Sequence, residues 1–160
     1  MKHRMTTDAL LDLLFPRLCV VCGRRLQSDE PHLCLHCLQH LPRTKFHEET
    51  EHAMEQLFRG KADIDAAFAL FYSTPHSDYR NLLHHIKYHN GKECARYLGQ
   101  LYARELRASG QLDSIDLIIP VPLHRSRLRK RGYNQSEWIA RGIADVSGIA
   151  VDTHSLIRHK

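Results

Sequence analysis

Two pairs of cysteines form the clearest chemical signal in this sequence of 160 residues. Each pair has the spacing CxxC, and eleven residues separate the two pairs. A CxxC turn presents two thiolates to one metal ion, and two such turns brought face to face complete a tetrahedral sulfur shell for Zn²⁺. We therefore predict a structural zinc site whose ligands are Cys19, Cys22, Cys34 and Cys37.

Other interpretations of the cysteines are weaker. A pair of disulfides would need an oxidising compartment, and no targeting segment indicates one. A thioredoxin-like redox site would account for one CxxC motif but not for two. His36 lies between the last two cysteines and could replace one of them as a ligand, although four thiols already suffice. The fifth cysteine, Cys94, is predicted to be a buried helical thiol.

A run of positive charge is the second chemical signal. Five of the seven positions from 125 to 131 are cationic, and His124 precedes them. Residues 121–141 carry six Lys and Arg side chains against one Glu, whereas the basic and acidic side chains elsewhere cancel. The formal net charge of +5 is therefore local. This favours one anion site over a generally basic surface that would coat nucleic acid.

The position of this run also indicates a ligand. It follows the apolar stretch 115–122, which we predict to be a buried parallel strand. It precedes a helix with Asn134 as N-cap and Glu137 at the position that closes a capping box. Ligands of open α/β sheets bind beyond the carboxyl ends of the strands, and Arg offers paired donors to phosphate oxygens. The alternative is a solvated basic loop without a ligand. The predicted anion-binding residues, in loop 123–133 and at the start of the next helix, are His124, Arg125, Arg127, Arg129, Lys130, Arg131, Gly132, Asn134 and Gln135.

The remaining pattern predicts an α/β fold. One helix is expected between a cap at Ser77 or Asp78 and an end at Asn90-Gly91, and another over 92–108. Strands are expected at 66–74 and 149–151. Strand, loop, helix and strand in this order form a βαβ unit, so an open parallel sheet with flanking helices is the expected class. Shorter helices are predicted at 8–15 and near 54–58, the second within a polar connector over 43–63.

The composition fits a folded protein without a membrane span. Hydrophobic residues make up 42% of the chain and charged residues 26%, which is ordinary for a globular domain. No apolar run approaches the roughly 18 residues that a membrane span needs. Asp8 and Asp12 interrupt the apolar cluster near the N-terminus, and no small-residue cleavage site follows it. We expect a cytoplasmic protein.

Three stretches of the sequence resemble one known family. CVVCG…CLHC, HHIKYHNG and IIPVPLHRSRLRKRGYNQSEWIAR are similar to motifs of the ComF family of competence-associated bacterial proteins. The resemblance covers nearly the whole chain, and PVPLH…RxRGYNQ is specific to that family. It implies an N-terminal double zinc ribbon, followed by part of a type I phosphoribosyltransferase-like parallel sheet with flanking helices. The corresponding domains are residues 1–58, the ribbon with its connector, and residues 59–160.

The resemblance also implies ligands and partners. The basic loop corresponds to the region that meets pyrophosphate in phosphoribosyltransferases. Lys87 falls in the family's motif at a helix end, here Lys87-Tyr88-His89-Asn90-Gly91. The expected ligand is phosphoribosyl diphosphate or another phosphate compound, and Mg²⁺ would accompany a diphosphate substrate. Single-stranded DNA and proteins of the competence machinery are further expected partners, in a function linked to DNA uptake.

Phosphoribosyl transfer is not expected from this chain alone. The family's transferases hold the ribose phosphate with two acidic residues at the end of a strand, followed by a loop that contains Thr and Gly. We find no such motif, since Asp29-Glu30 and Glu48-Glu49 lack the apolar strand before them, and we assign no catalytic residue.

Two functions therefore stay open. One is phosphoribosyltransferase-like ligand binding, and the other is a non-catalytic zinc-ribbon factor that binds nucleic acid. Proteins that bind single strands stack bases on aromatic side chains. The basic loop contains no aromatic residue before Tyr133, which favours a small phosphate ligand.

Overall fold

The computed structural model describes residues 15–158, which form two compact units. The first unit holds the described residues up to 41 together with 74–83, and the second holds 42–73 and the residues from 84 onward. The helix predicted at 8–15 falls almost entirely outside the described residues.

Within residues 15–158, most of the regular structure is helical, with one small sheet. The helices are α1 (Leu35–Gln39), α2 (Ala53–Gln56), α3 (Arg80–Tyr88), α4 (Lys92–Ala108), α5 (Arg125–Arg131) and α6 (Gln135–Ser147), and a 3-10 turn covers Phe46–Glu48. The two strands, β1 (Leu117–Ile118) and β2 (Ala150–Val151), pair in parallel, with Leu117 opposite Ala150 and Ile118 opposite Val151. None of the helices within 15–158 has the length and apolar character that a membrane crossing needs.

The first unit is a zinc-ribbon-like hairpin followed by a short helix. Leu18 and Arg25 form an antiparallel bridge, and the Leu26 N–H donates to the Arg17 carbonyl at 2.8 Å. Leu33 and Leu82 are fully buried in its core. The segment 74–83 therefore belongs to the ribbon's own core, although it lies far from the ribbon in sequence.

The second unit is organised by the crossing of α4 and α6. Gly99 and Gly142 lie at the crossing, where the two backbones approach closely. A Cβ atom at Gly142 would collide with the backbone carbonyl of Arg96, and a Cβ atom at Gly99 would collide with that of Ile139. At the rim of the crossing, Asp145 accepts hydrogen bonds from the Arg96 guanidinium at 2.6 and 2.7 Å.

Several sequence predictions are confirmed. The predicted helix 92–108 coincides with α4, and α3 lies between the predicted cap and the predicted end. Asn134 caps α6, because its side-chain oxygen accepts the Ser136 N–H at 3.1 Å. Gly148 ends the same helix with a φ of 77°, and β2 lies within the predicted 149–151 strand. Cys94 is fully buried on α4.

One predicted strand is absent, a second is parallel as expected but shorter and more exposed, and a predicted loop is helical. Residues 66–74 form no regular strand; one bridge joins Phe71 to Arg43, and Pro42 has no N–H to extend the ladder. The apolar stretch 115–122 pairs at only two positions, because Pro120 and Pro122 cannot donate and β2 is equally short. It is not buried either, since Leu117 and Ile119 are 45% and 46% exposed.

The third correction concerns the basic segment, which we expected to be a loop. Its residues 125–131 form helix α5. Local signals at both ends favour this helix. The His124 ring accepts the Ser126 N–H at 3.3 Å as an N-cap, and Gly132 ends the helix in the left-handed region with a φ of 79°.

Replacement of Gly142 by Ala tests the helix crossing. In an ordinary helix interior this change stabilises the protein by up to about 1 kcal/mol. Here the new methyl group would meet backbone atoms that cannot rotate away, so we expect a loss of about 1–3 kcal/mol in the free energy of unfolding. Urea denaturation of the wild type and the variant measures this difference. A variant as stable as the wild type would contradict the close crossing.

Replacement of Asp145 by Asn tests the ion pair at the crossing. The hydrogen bond from Arg96, followed by that from Gln100, lowers the pKa of the Asp145 carboxyl from 3.8 to about 2. A carboxyl whose pKa is depressed on folding stabilises the protein above its unfolded pKa, and this contribution is lost as the pH falls through the folded pKa. We expect D145N to be less stable than the wild type at pH 7 and nearly equal to it at pH 2. Urea midpoints at both pH values measure this; an equal difference at both would contradict it.

Candidate metal centre and basic cleft

The first CxxC motif folds as a tight knuckle in the ribbon hairpin. The Cys19 N–H donates to the Arg24 carbonyl at 2.7 Å, and the Gly23 N–H donates to the Cys19 carbonyl at 2.8 Å. Gly23 has a φ of 71°, a conformation that glycine adopts without steric cost. The turn places the Cys19 and Cys22 thiols on the same side of the hairpin, as the CxxC spacing predicts.

The second CxxC motif begins helix α1. Cys34 is the N-cap residue and Cys37 lies within the helix. The Cys34 N–H donates to the Cys19 sulfur at 3.3 Å, which joins the two motifs directly. Two residues of the segment 74–83 support the same arrangement: the Tyr79 hydroxyl donates to the Cys37 carbonyl at 2.8 Å, and the Asn81 amide donates to the Val21 carbonyl at 3.3 Å.

The four sulfur atoms are arranged for one metal ion. All four lie within 4.8 Å of one another, and the Cys22 and Cys34 sulfurs are 3.7 Å apart. A tetrahedral Zn²⁺ with Zn–S bonds of about 2.3 Å requires sulfur–sulfur distances of about 3.8 Å. The sulfur positions therefore fit Zn²⁺, which would supply folding energy to the ribbon rather than reactivity. His36 stacks on the His40 ring, with 4.3 Å between ring centroids, and is not part of the cluster.

The environment acts differently on the individual thiols. Burial raises the pKa of Cys34 and of Cys37. Burial also raises the pKa of Cys19, but hydrogen bonds from the backbone of Cys22, Cys34 and Val21 lower it by more, to about 7. Thiolates, not thiols, bind metal, so binding releases protons and weakens as the pH falls.

The second unit contains a cleft of about 650 Å³ that is lined by four cations. Arg127, Lys130 and Arg131 come from α5, and Lys87 comes from the last turn of α3. Leu123, Tyr88 and Gln135 complete the lining. None of these lining residues is acidic, so the potential in the cleft is strongly positive.

Because α5 is helical, only some of the predicted anion-binding residues line the cleft; the others lie outside it or cap helices. Arg127, Lys130 and Arg131 recur at helical spacing and share the face that lines the cleft, with Gln135 beside them. Arg125 and Arg129 are exposed and are not among the lining residues. The other three hold the local fold: His124 and Gly132 cap α5, and Asn134 caps α6 and donates to the Val121 carbonyl at 3.0 Å.

A buried hydrogen bond joins the two sides of the cleft. The Tyr133 hydroxyl donates to the Ile86 carbonyl at 2.7 Å, and the Tyr133 ring is only 5% exposed. The Lys92 ammonium lies 5.5 Å from the centre of the same ring. Burial raises the pKa of the Tyr133 phenol. Tyr133 thus fixes the last turn of α3 beside the turn that connects α5 with α6.

Sequence reasoning missed two lining residues. Leu123 carries no chemical signal of its own, and Tyr88 lies 37 positions before the start of α5 in a different helix. The only signal for Tyr88 was its place beside Lys87 in the family-like motif. Its ring is 57% exposed, and the Arg131 guanidinium lies 5.3 Å from the ring centre.

Comparisons with known proteins identify the ribbon and one partial relative. Residues 10–47 match the family described as double zinc ribbon domain. A region of 80 residues, or 48% of this chain, is 34% identical to DNA utilization protein YhgH of Salmonella typhimurium. The matched region covers only 35% of that protein's length. No solved structure matches the chain.

The metal site can be tested by the metal content of the purified protein. We expect one Zn²⁺ per chain, because the four sulfurs fit a single tetrahedral ion. Cys37→Ser should lose the zinc and unfold the ribbon, whereas Cys94→Ala, which removes the thiol on α4, should retain it. Elemental analysis gives the stoichiometry, and a chelator titration followed by proteolysis locates the unfolding. A wild-type protein without zinc would contradict the prediction.

Proposed function

We propose that this chain is a ComF-family, phosphoribosyltransferase-like protein that binds a phosphate-bearing ligand in the basic cleft. The observation that carries the proposal is the convergence of Lys87, Arg127, Lys130 and Arg131 on one cavity. Like charges brought together from two helices repel one another. Such an arrangement is expected where an anion offsets that repulsion, and Arg and Lys are the residues that bind phosphate.

The size of the cleft supports a ligand larger than one phosphate. Its volume of about 650 Å³ lies within the range of roughly 300–1,000 Å³ that is usual for sites of small organic ligands. Phosphoribosyl diphosphate and nucleotides are compounds of suitable size and charge. The proposal concerns binding, and it assigns no residue of this chain to a chemical step.

A link to DNA utilization is supported by the partial relative. That protein is described as a DNA utilization protein, and it is 34% identical to 80 residues of this chain. We therefore place the cleft ligand in the context of competence and DNA uptake. Proteins of the competence machinery are the partners that this proposal implies.

Contact with a nucleic-acid strand is the second candidate. Two observations favour it: the description of the relative, and the exposed Tyr88 ring among the cations of the cleft. Aromatic rings beside cationic side chains are typical of single-strand binding. This candidate shares the phosphate contacts of the first, and it differs in the length of the ligand.

Paired substitutions in α5 test the cleft. In the variant Arg127→Gln with Lys130→Gln, two cations that line the cleft are lost. In the matched control, Arg125→Gln with Arg129→Gln, the same helix loses the same charge outside the cleft. Because hydrogen bonds to charged groups contribute about 1.5–3 kcal/mol each, we expect the cleft variant to bind pyrophosphate at least tenfold more weakly. The control should bind nearly as well as the wild type.

Calorimetric titration with pyrophosphate, with phosphoribosyl diphosphate and with a short oligothymidylate measures these affinities. For the strand, each lost phosphate contact should reduce the slope of log affinity against log salt by about 0.7. Equal losses in both double variants would mean that overall charge, and not the cleft, binds the ligand. Failure of the wild type to bind any of the three compounds would overturn the proposed function.

A further inference from the structure

Helix α3 belongs to both compact units. Its residues 80–83 lie in the first unit, with the ribbon, and its residues from 84 onward lie in the second. Lys87 and Tyr88, in its last turn, line the basic cleft. No other helix within residues 15–158 is divided between the units. The chain that supports the metal centre and the chain that supplies the cleft are therefore one continuous helix.

The start of α3 is held by the two CxxC motifs. The Tyr79 hydroxyl, one residue before the helix, donates to the Cys37 carbonyl at 2.8 Å. The Asn81 amide donates at 3.3 Å to the carbonyl of Val21, which lies between the two cysteines of the first motif. Leu82 is 0% exposed in the ribbon core. A metal ion that fixes the cysteines also fixes the carbonyls that receive these hydrogen bonds.

Helix α3 is too short to stay ordered without these contacts. It has nine residues, and helices shorter than about 12–15 residues are marginal in water by themselves. Each N–H of an α-helix bonds to the carbonyl four residues earlier, so the N–H groups of the last turn depend on the carbonyls of the first. When the first turn frays, the Tyr133 hydrogen bond to the Ile86 carbonyl holds one residue of a segment that is no longer helical.

We propose that zinc binding by the four cysteines orders the basic cleft through α3. With zinc, the ribbon holds the first turn, the helix extends to Tyr88, and Lys87 stands beside the cations of α5. Without zinc, the ribbon unfolds, α3 frays and Lys87 loses its defined position. The effect on ligand affinity rests on the proposed function, whereas the effect on the order of α3 needs no ligand. Because linkage is reciprocal, a ligand in the cleft should strengthen zinc retention by the same factor.

Amide hydrogen exchange, measured by NMR on zinc-loaded and zinc-free wild type, tests the order of α3. A chelator removes the zinc, and dialysis removes the chelator. We expect the amides of residues 84–88 to exchange about tenfold faster or more without zinc, because two hydrogen bonds to the ribbon are lost. Helices α4 and α6 should keep their protection, since their close crossing contains no residue of the ribbon.

Tyr79→Phe tests the same connection while zinc is present. The variant keeps the ring and all four thiols and loses only the hydroxyl that reaches Cys37. It should retain one Zn²⁺, and residues 84–88 should exchange about twofold to tenfold faster, the range for one hydrogen bond. Tyr72→Phe is the matched control, because that ring is 53% exposed and does not line the cleft. It should behave as the wild type.

Pyrophosphate titration tests whether the ordering of α3 changes the cleft. We expect zinc-free wild type to bind pyrophosphate about tenfold more weakly than the zinc-loaded protein, because the contact of Lys87 is lost. In Lys87→Gln that contact is already missing, so removal of zinc should change the affinity of this variant little. An equal loss in wild type and Lys87→Gln would show that zinc does not act on the cleft through Lys87, and would overturn the proposed regulation.

The exchange results decide the inference independently of any ligand. Protection of residues 84–88 that survives zinc removal would overturn it, and so would wild-type exchange in Tyr79→Phe. Loss of protection in α4 and α6 as well would overturn it too, because general unfolding would then explain the change. If the zinc-loaded wild type does not bind pyrophosphate, the proposed function loses its support, while the exchange measurements still decide whether zinc orders α3.

Discussion

The close contact between α4 and α6 is the constraint on which the second unit depends. Glycine at positions 99 and 142 allows the two helix backbones to approach until no side chain separates them. The distance between the axes of α4 and α6 and their relative position along those axes are therefore fixed, since interiors are packed too densely to accept an added methyl group. The start of α6 follows from that placement, and the turn with Tyr133 and Asn134 precedes it directly. From this turn Tyr133 reaches the Ile86 carbonyl and Asn134 reaches the Val121 carbonyl, so the helix crossing determines where Lys87, Tyr88 and the cations of α5 can meet.

The parts of the fold that the sequence predicts are those set by neighbouring residues. The limits of α4, the caps of α6 and the two CxxC knuckles depend on side chains within a few positions of the backbone they stabilise, and these signals are readable in one sequence. The helical form of residues 125–131 was missed because a dense run of cations lacks the apolar periodicity from which helices are usually inferred. Its caps, His124 and Gly132, were present in the sequence but were assigned to ligand binding instead.

What the sequence does not predict is contact between distant segments. Tyr79 donates to the Cys37 carbonyl across 42 positions, and nothing near Tyr79 indicates that it supports a metal site. Residues 66–74 have the composition of a strand. Composition does not reveal that they pair with the segment around Arg43, where Pro42 has no N–H to extend the pairing. Tyr88 lies at the cleft on the last turn of α3, which the Tyr133 hydrogen bond holds. The sequence therefore predicted the cationic residues of the candidate site. It did not predict Tyr88, because the position of that ring depends on the tertiary fold.

Helix α5 would connect the proposed ligand binding with local order. It has only seven residues, none of them buried, and a helix of this length is not stable through its own hydrogen bonds. Arg125 and Arg129, and likewise Arg127 and Arg131, stand four positions apart, where like charges destabilise a helix. Cations in the last turn are favoured by the helix dipole, and the two caps contribute further. The helix dipole and the two caps offset the repulsion between the cations of α5 only in part. An anion bound between Arg127, Lys130 and Arg131 would reduce the repulsion among these three side chains. If the cleft binds an anion as proposed, its occupation should order the same helix that supplies most of its charge. Under that proposal, the positive run would serve affinity and would lower the stability of α5 without ligand.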